Sequence, residues 1–171
     1  TFATVAIVIP VFNDWESLLK LLHSLDWVLA PAGLNIEVLV VDDASNTPLP
    51  TELLPNGFNI IKKIDVLELR RNIGHQRAIA IAVAYIEANL KCEAVLVMDS
   101  DGEDKPEDAL RLIETYKREG GQKVIFARRM KRSEGIVFRL LYGLYKNFYQ
   151  ILTGQEIRVG NFSIIPYKIL G

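Results

Sequence analysis

Residues 94–104 read AVLVMDSDGED, a short apolar run that ends in a cluster of acidic side chains. An apolar run of this length and composition predicts a buried strand covered on both faces. Asp99 and Asp101 follow that strand two positions apart, where an extended backbone directs alternate side chains to the same side. The stretch therefore predicts a strand whose carboxyl end carries a pair of carboxylates.

The same pattern recurs on both sides of this stretch. Further strands are predicted from apolar runs at 5–11, 36–41, 60–69 and 124–127. Helical spacing of apolar residues, an alanine-rich segment and a proline suited to a first turn predict helices at 15–25, 76–88 and 106–119. This alternation predicts an α/β fold with a largely parallel central sheet flanked by helices, in which ligands bind at the carboxyl ends of strands.

Length and composition limit the possible classes of protein. A chain of 171 residues, half of them hydrophobic, is long enough for one sizeable core, so we expect a single domain over 1–171. A formal net charge of −1 argues against a nucleic-acid partner. The single cysteine excludes an internal disulfide and agrees with a cytoplasmic location. Because the chain starts at Thr1 and stops as a new segment begins, we expect a fragment truncated at its C-terminus.

Asp99, Asp101 and Glu103 form a candidate site for a hard cation. Mg²⁺ and Mn²⁺ bind carboxylate oxygens together with phosphate oxygens and water, so such a site holds a metal that bridges a diphosphate. Alternatively, acidic residues at a strand end cap the next helix and remain solvated. An isolated D-x-D pattern is compatible with both interpretations, and its context decides.

That context includes polar residues after two other predicted strands. Asp42 and Asp43 follow the second strand, and Asn13 and Asp14 follow the first. Strand ends that converge on one edge of a sheet form a polar crevice, where carboxylates accept hydrogen bonds from a base or from ribose hydroxyls. A simple turn at Asp42 and Asp43 is the alternative interpretation.

Four motifs, in this order and at this spacing, resemble the N-terminal domain of family 2 glycosyltransferases with the GT-A fold: VIPVFND (8–14), VVDDAS (40–45), RNIGHQRAIAIA (71–82) and VMDSDGEDKPE (97–107). Two more, ARRMKRSEG (127–135) and VGNFSIIP (159–166), resemble the subset that includes dolichyl-phosphate mannose synthases and undecaprenyl-phosphate sugar transferases. The resemblance implies an inverting, Mg²⁺- or Mn²⁺-dependent transfer from a nucleotide-diphosphate sugar to a polyprenyl-phosphate or glycan acceptor in cell-envelope glycan synthesis.

The resemblance also implies roles for individual residues. Those expected to bind the nucleotide sugar are Pro10, Phe12, Asp14, Asp42, Asn72, Asp99 and Ser100. The expected metal ligands are Asp99, Asp101 and Glu103. The expected catalytic residues are Asp101, Asp104, Arg128 and Arg132. His75 is assigned no role, because a lone histidine near a helix start is more often a surface or capping group.

One segment departs from the family pattern. Where the lipid-phosphate enzymes commonly have G-D-F-R-L, residues 160–164 read GNFSI, which loses both a carboxylate, replaced by Asn161, and an arginine, replaced by Ser163. Amides do not act as general bases. Three explanations remain open: the acceptor needs no base from this position, Asp104 or Glu156 substitutes, or the acceptor differs from those of the named relatives.

The region from about 128 to 171 is expected to serve the acceptor. Its basic residues Arg128, Arg129 and Arg132 either clamp an acceptor phosphate or form a solvated loop, and the resemblance favours the clamp. The apolar segment at 136–152 either lies on a membrane surface or packs against protein. The first alternative predicts a peripheral contact with the inner face of the membrane.

Two other functions compete with the glycosyltransferase. The stretch VLVMDSDGED also resembles the D-x-D-G core of haloacid-dehalogenase-type phosphatases, although that family places the motif on its first strand and has Thr where Glu103 stands here. The other alternative is a domain that binds nucleotide sugars without catalysis.

Overall fold

The computed structural model describes residues 3–50, 57–127 and 161–170. All of these except Ala127 belong to one compact unit, which is formed by residues 1–126 and 161–171. Its helices and strands follow one another as β1 (Thr4–Val11), α1 (Trp15–Leu29), β2 (Asn35–Asp42), β3 (Ile61–Glu68), α2 (His75–Asn89), β4 (Ala94–Val97), α3 (Pro106–Arg118), β5 (Ile125–Phe126) and β6 (Ser163–Pro166).

The strands form one six-stranded sheet in the order β3-β2-β1-β4-β6-β5. The first four are parallel to one another, and β6 is antiparallel to both of its neighbours. The five strands predicted from apolar runs are all present, and the expectation of a largely parallel sheet flanked by helices is confirmed. The sequence does not predict the sixth strand, β6. It has only four residues, and it is defined by its pairing with β4, which lies far away in the sequence.

The core explains why the first strands contain almost no polar residues. Ala6 and Val8 of β1 belong to a buried cluster with Ala78 and Ala82 of α2, whose small side chains let this helix approach the sheet closely. Ile7, which points to the opposite face, is also fully buried. Strand β1 is therefore covered on both faces, as the sequence predicted.

A carboxylate on α1 fixes the entry into β3. Asp26 is buried, and its side chain accepts hydrogen bonds from the backbone amides of Asn59, Ile60 and Ile61 at 2.8–3.1 Å and from the side-chain amide of Asn59 at 3.1 Å. Burial acts to raise the pKa of Asp26, but these hydrogen bonds outweigh burial and hold the pKa below its ordinary value. The ionised side chain therefore ties the first helix to the start of the edge strand.

Candidate functional site

The loops after β1 and β2 are joined to each other. The amide of Asn13 donates to Oγ of Ser45 at 2.8 Å, and Oδ1 of Asn13 accepts from the amide of Asn46 at 2.7 Å. Asn13 has a φ of 55°, which asparagine tolerates better than most residues. The two strand ends lie side by side, because Val11 pairs with Asp42 in the parallel register. The sheet thus brings together two of the three polar strand ends predicted from the sequence.

The predicted nucleotide-binding residues on these two strand ends have different surroundings. Phe12 is 48% exposed, whereas Pro10 is buried in β1. Asp14 is the N-cap of α1, and its side chain accepts from the amide of Ser17 at 3.2 Å. Asp42 is buried, with Oδ1 accepting from the amide of Ser45 at 2.8 Å. The structure thus shows the turn at Asp42 that the sequence offered as one alternative, and the nucleotide-binding role of Asp42 stays a prediction.

Asp43 connects the end of β2 to the loop before α2. Its carboxylate is buried and accepts from two successive backbone amides, Ile73 at 2.8 Å and Gly74 at 2.9 Å. Gly74 has a φ of 89°, a conformation that favours glycine over residues with a side chain. An open cleft of about 530 Å³ lies at this loop, lined by Arg71, Asn72, Ile73, Gly74 and Arg77. Asp43 therefore fixes the loop that carries Asn72, a predicted nucleotide-binding residue.

We expect Asp43→Asn to loosen this loop and weaken nucleotide binding. An amide at this position offers one oxygen to two donors and turns an NH₂ group toward one of them, which costs about 1–3 kcal/mol for a buried donor left unsatisfied. Hydrogen exchange of the Ile73 and Gly74 amides should accelerate, while the Ser17 amide, bonded to Asp14, serves as the internal control. Unchanged exchange at both loop amides would contradict this role for Asp43.

The loop after β4 is a tight turn held by its own carboxylates. Oδ2 of Asp104 accepts from the amide of Asp99 at 2.8 Å, and Oδ1 of Asp101 accepts from the amide of Glu103 at 2.9 Å. Ser100 and Asp104 are buried, whereas the side chain of Asp101 is exposed. Gly102, with a φ of 83°, allows the chain to turn between them. This turn sets Asp99 and Asp101 at the carboxyl end of β4, as predicted.

Part of the predicted set of metal ligands is suitably placed to bind a divalent cation at this turn. Among the described residues, no three histidine, cysteine, aspartate or glutamate side chains form a group that could hold a metal ion. Mg²⁺, however, is commonly bound through only one or two carboxylates, with substrate phosphates and water completing its coordination. The exposed carboxylate of Asp101, two positions after Asp99, is compatible with such a site when a diphosphate supplies the remaining oxygens.

His75, to which the sequence assigned no role, contacts the predicted site. Its Nε2 lies 3.0 Å from Oδ1 of Asp99. The hydrogen bond with Asp99 raises the pKa of His75 above its ordinary value, against the opposing effect of partial burial. The protonated ring is thus favoured beside the carboxylate. Sequence reasoning missed this contact because His75 precedes Asp99 by a whole helix and strand.

Asn161 also lies next to the start of α2. Its Oδ1 accepts from Nε2 of Gln76 at 3.0 Å, and its backbone oxygen accepts from Oγ of Ser163 at 3.0 Å. The position at which relatives commonly carry an aspartate is therefore on the same edge of the molecule as His75 and Asp99.

Several predicted residues lie outside the part of the chain that the structure describes. These are the basic residues Arg128, Arg129 and Arg132, the alternative base Glu156, and the apolar segment 136–152. Within the described ranges, no helix has the length and apolar character needed to cross a membrane.

Comparison with known proteins places the chain in a family. Residues 6–169 match the family described as glycosyl transferase family 2. The uncharacterized glycosyltransferase YkcC of Bacillus subtilis (strain 168) is 30% identical over 169 residues, which cover 96% of this chain and 50% of that protein. The undecaprenyl-phosphate 4-deoxy-4-formamido-L-arabinose transferase of Erwinia tasmaniensis is 28% identical over 153 residues, covering 90% of this chain and 45% of that protein.

The fold has solved counterparts. The mannosyltransferase PcManGT from Pyrobaculum calidifontis, solved with GDP-Man and Mn²⁺, superposes with a TM-score of 0.61 at 17% identity, covering 99% of this chain and 46% of that one. The fold is thus GT-A, as predicted. The chain spans about half the length of the curated relatives it matches. The family match decides between the two enzyme classes that the D-x-D motif left open: the chain belongs to glycosyl transferase family 2.

Proposed function

We propose that the protein is a metal-dependent, inverting glycosyltransferase that moves a sugar from a nucleotide diphosphate to an acceptor in cell-envelope glycan synthesis. The observation that carries the proposal is the turn after β4, which presents Asp99 and the exposed Asp101 at a strand end in a family 2 chain. The solved neighbour with GDP-Man and Mn²⁺ supports the donor class and the metal. The undecaprenyl-phosphate sugar transferase supports a polyprenyl-phosphate acceptor, with a glycan as the alternative.

We propose that different residues bind different parts of the donor. Asp42 and the loop that Asp43 fixes hold the nucleoside, with Pro10, Phe12, Asp14 and Asn72 alongside. Asp99 and Asp101 would face the diphosphate and hold Mg²⁺ or Mn²⁺ together with phosphate oxygens and water, and the metal when bound would offset the charge that develops on the leaving diphosphate. Glu103 stays a predicted third ligand, because among the described residues no three such side chains form a metal-binding group. Ser100, a buried residue between the two aspartates in sequence, is proposed to bind the nucleotide sugar with them.

We propose that Asp104 positions the backbone of Asp99 and does not transfer a proton. Its side chain is only 2% exposed and already accepts a hydrogen bond from the amide of Asp99. A base must come within hydrogen-bond reach of the proton that it removes, and burial opposes this. Arg128 and Arg132 are proposed to bind an acceptor phosphate. The sugar transfer is proposed to take place in the cytoplasm, at the inner face of the membrane.

The first test is nucleotide-dependent stabilisation. The melting temperature of the intact protein is measured with UDP, GDP, dTDP and CMP, each with Mn²⁺ and with a chelator. A ligand that binds only the native state stabilises it by about 2.7 kcal/mol at one hundred times its Kd. We expect one diphosphate to stabilise the protein with Mn²⁺ and not with the chelator. No shift with any nucleotide would contradict the proposed donor class.

Turnover separates an enzyme from a binding domain. The nucleotide that stabilises the protein is supplied as its sugar conjugate, with a short-chain polyprenyl phosphate as acceptor. Release of the nucleoside diphosphate that depends on the acceptor is the expected result. Binding of the sugar nucleotide with no release under any of these conditions would favour the domain that binds without catalysis.

A further inference from the structure

Asn13 joins the loop after β1 to the loop after β2 in both directions. Its backbone amide donates to Oγ of Ser45 at 2.8 Å, and its side-chain Oδ1 accepts from the backbone amides of Asn46 at 2.7 Å and Thr47 at 3.4 Å. These contacts connect residues that are 32 to 34 positions apart in the sequence. One residue of the first loop therefore holds three successive residues of the second.

Two further contacts support the same junction. The backbone amide of Asp43 donates to the carbonyl oxygen of Val11 at 2.9 Å, where the two strands leave the sheet. Nε1 of the buried Trp15 donates to the carbonyl oxygen of Thr47 at 3.2 Å. The loop after β2 is thus bound to the β1 side of the junction at Asp43 and again at Thr47.

The backbone of the junction is constrained as well. Asn13 has a φ of 55° and Ala44 a φ of 62°, both in the left-handed region. Asparagine tolerates this region, but alanine rarely adopts it. A backbone of this kind persists where the surrounding contacts determine it, and it is frequent at loops that hold ligands. The contacts of Asn13 therefore keep the second loop in a conformation that its own sequence does not favour.

Ser45 connects Asn13 to a residue that is proposed to bind the nucleoside. The backbone amide of Ser45 donates to Oδ1 of Asp42 at 2.8 Å, while its Oγ accepts from the amide of Asn13. Asp42 is buried, so this contact sets the orientation of its carboxylate. Phe12, which is exposed and also proposed to bind the nucleoside, directly precedes Asn13. Asn13 is therefore linked to both residues without being expected to touch the donor.

We propose that Asn13 is a positioning residue for the nucleoside part of the donor. It holds the loop after β2, and through Ser45 the carboxylate of Asp42, in the binding conformation before the nucleotide arrives. This inference rests on the proposed function. A loop that is ordered in the free protein does not have to be ordered on binding, which otherwise lowers the affinity by the fraction of molecules in the competent conformation. The nucleoside benefits from this order, whereas the diphosphate is proposed to bind at the turn after β4.

Two variants of Asn13 in the intact protein separate the side-chain contact from the backbone conformation. Asn13→Gly keeps the left-handed backbone accessible and removes the acceptor of the Asn46 and Thr47 amides. Asn13→Asp keeps an acceptor oxygen on a side chain that also tolerates this backbone. The control is Asn89→Ala, because Asn89 is an exposed residue at the end of α2 whose side-chain amide donates to the carbonyl oxygen of Tyr85 at 2.9 Å.

The measurements are the Kd values of UDP, GDP, dTDP and inorganic pyrophosphate, each with Mn²⁺, and the KM and kcat for the matching sugar nucleotide. For the nucleoside diphosphate that binds the wild type, we expect Asn13→Gly to raise the Kd and the KM about tenfold, as when about one molecule in ten has a competent loop. The Kd of pyrophosphate and the kcat should change less than about twofold, because neither depends on binding of the nucleoside.

Rescue by the conservative variant is part of the same test. Asn13→Asp and Asn89→Ala should both bind the nucleotide within about threefold of the wild type, since the first keeps the acceptor and the second lies elsewhere on the surface. A merely structural role for Asn13 would instead weaken the binding of nucleotide and pyrophosphate alike.

Several results contradict the inference, and they differ from failure of the proposed function. An unchanged nucleotide Kd in Asn13→Gly, equal weakening of nucleotide and pyrophosphate, or an Asn13→Asp variant as weak as Asn13→Gly would overturn the positioning role and leave the proposed function standing. A wild-type protein that binds none of the three nucleoside diphosphates with Mn²⁺ would overturn the proposed donor class, and the inference with it.

Discussion

Replacing Asp101 with alanine is expected to lower the rate of sugar transfer by about a hundredfold to a thousandfold. A metal that stabilises charge on the leaving group is worth several kcal/mol, and each 1.4 kcal/mol is tenfold in rate. The nucleoside diphosphate should also lose the part of its affinity that depends on Mn²⁺. Because Asp101 is exposed, the loss of the hydrogen bond that it accepts from the Glu103 amide should lower the free energy of unfolding by only about 1 kcal/mol.

The matched control is Asp108→Ala. Asp108 is an acid in the first turn of α3, and its carboxylate pairs only with the surface residue Arg111 at 2.9 Å among the contacts described. Titration calorimetry with Mn²⁺ and with a chelator, together with initial rates, should show no loss of nucleotide binding or activity in this variant. If Asp101→Ala binds the nucleotide with unchanged metal dependence, the proposed role of Asp101 is wrong.

Asp26→Ala should have the largest effect on stability, a loss of about 3 kcal/mol. The change removes the acceptor of three backbone amides, and a buried donor without an acceptor costs about 1–3 kcal/mol. We expect less than three times this cost, because Asn59 is exposed and water can hydrate its amide. The measurement is the free energy of unfolding in urea, with Asp65→Asn as control. Asp65 makes a surface ion pair with Lys63, so its replacement should cost less than about 1 kcal/mol.

The lowered pKa of Asp26 predicts how the free energy of unfolding depends on pH. Because the pKa of Asp26 is lower in the folded protein, its contribution is fully present above the unfolded value of about 3.9 and is lost as the pH falls through the lower folded value. The difference in stability between the wild type and Asp26→Asn should therefore shrink as the pH falls below about 4. A difference that stays constant down to the acid transition would show that ionisation of Asp26 does not contribute.

The sequence alone determined the fold class and indicated the family. Apolar runs such as 94–98 followed by acids predict buried strands whose polar ends meet at one edge, because burial on both faces leaves no other place for charge. Motif order and spacing then indicated the family, which the match over 6–169 confirmed. The roles assigned to single residues, among them Asp42 and Asp101, stay predictions.

Only the tertiary structure decided which side chains meet. Asp26 binds the start of β3, Asp43 binds the loop before α2, His75 contacts Asp99, and Gln76 contacts Asn161. A period of 2 or 3.6 residues tells which face of a strand or helix a residue occupies. It does not tell which distant segment lies opposite, because that depends on the order of strands in the sheet and on the insertion of β6 beside β4.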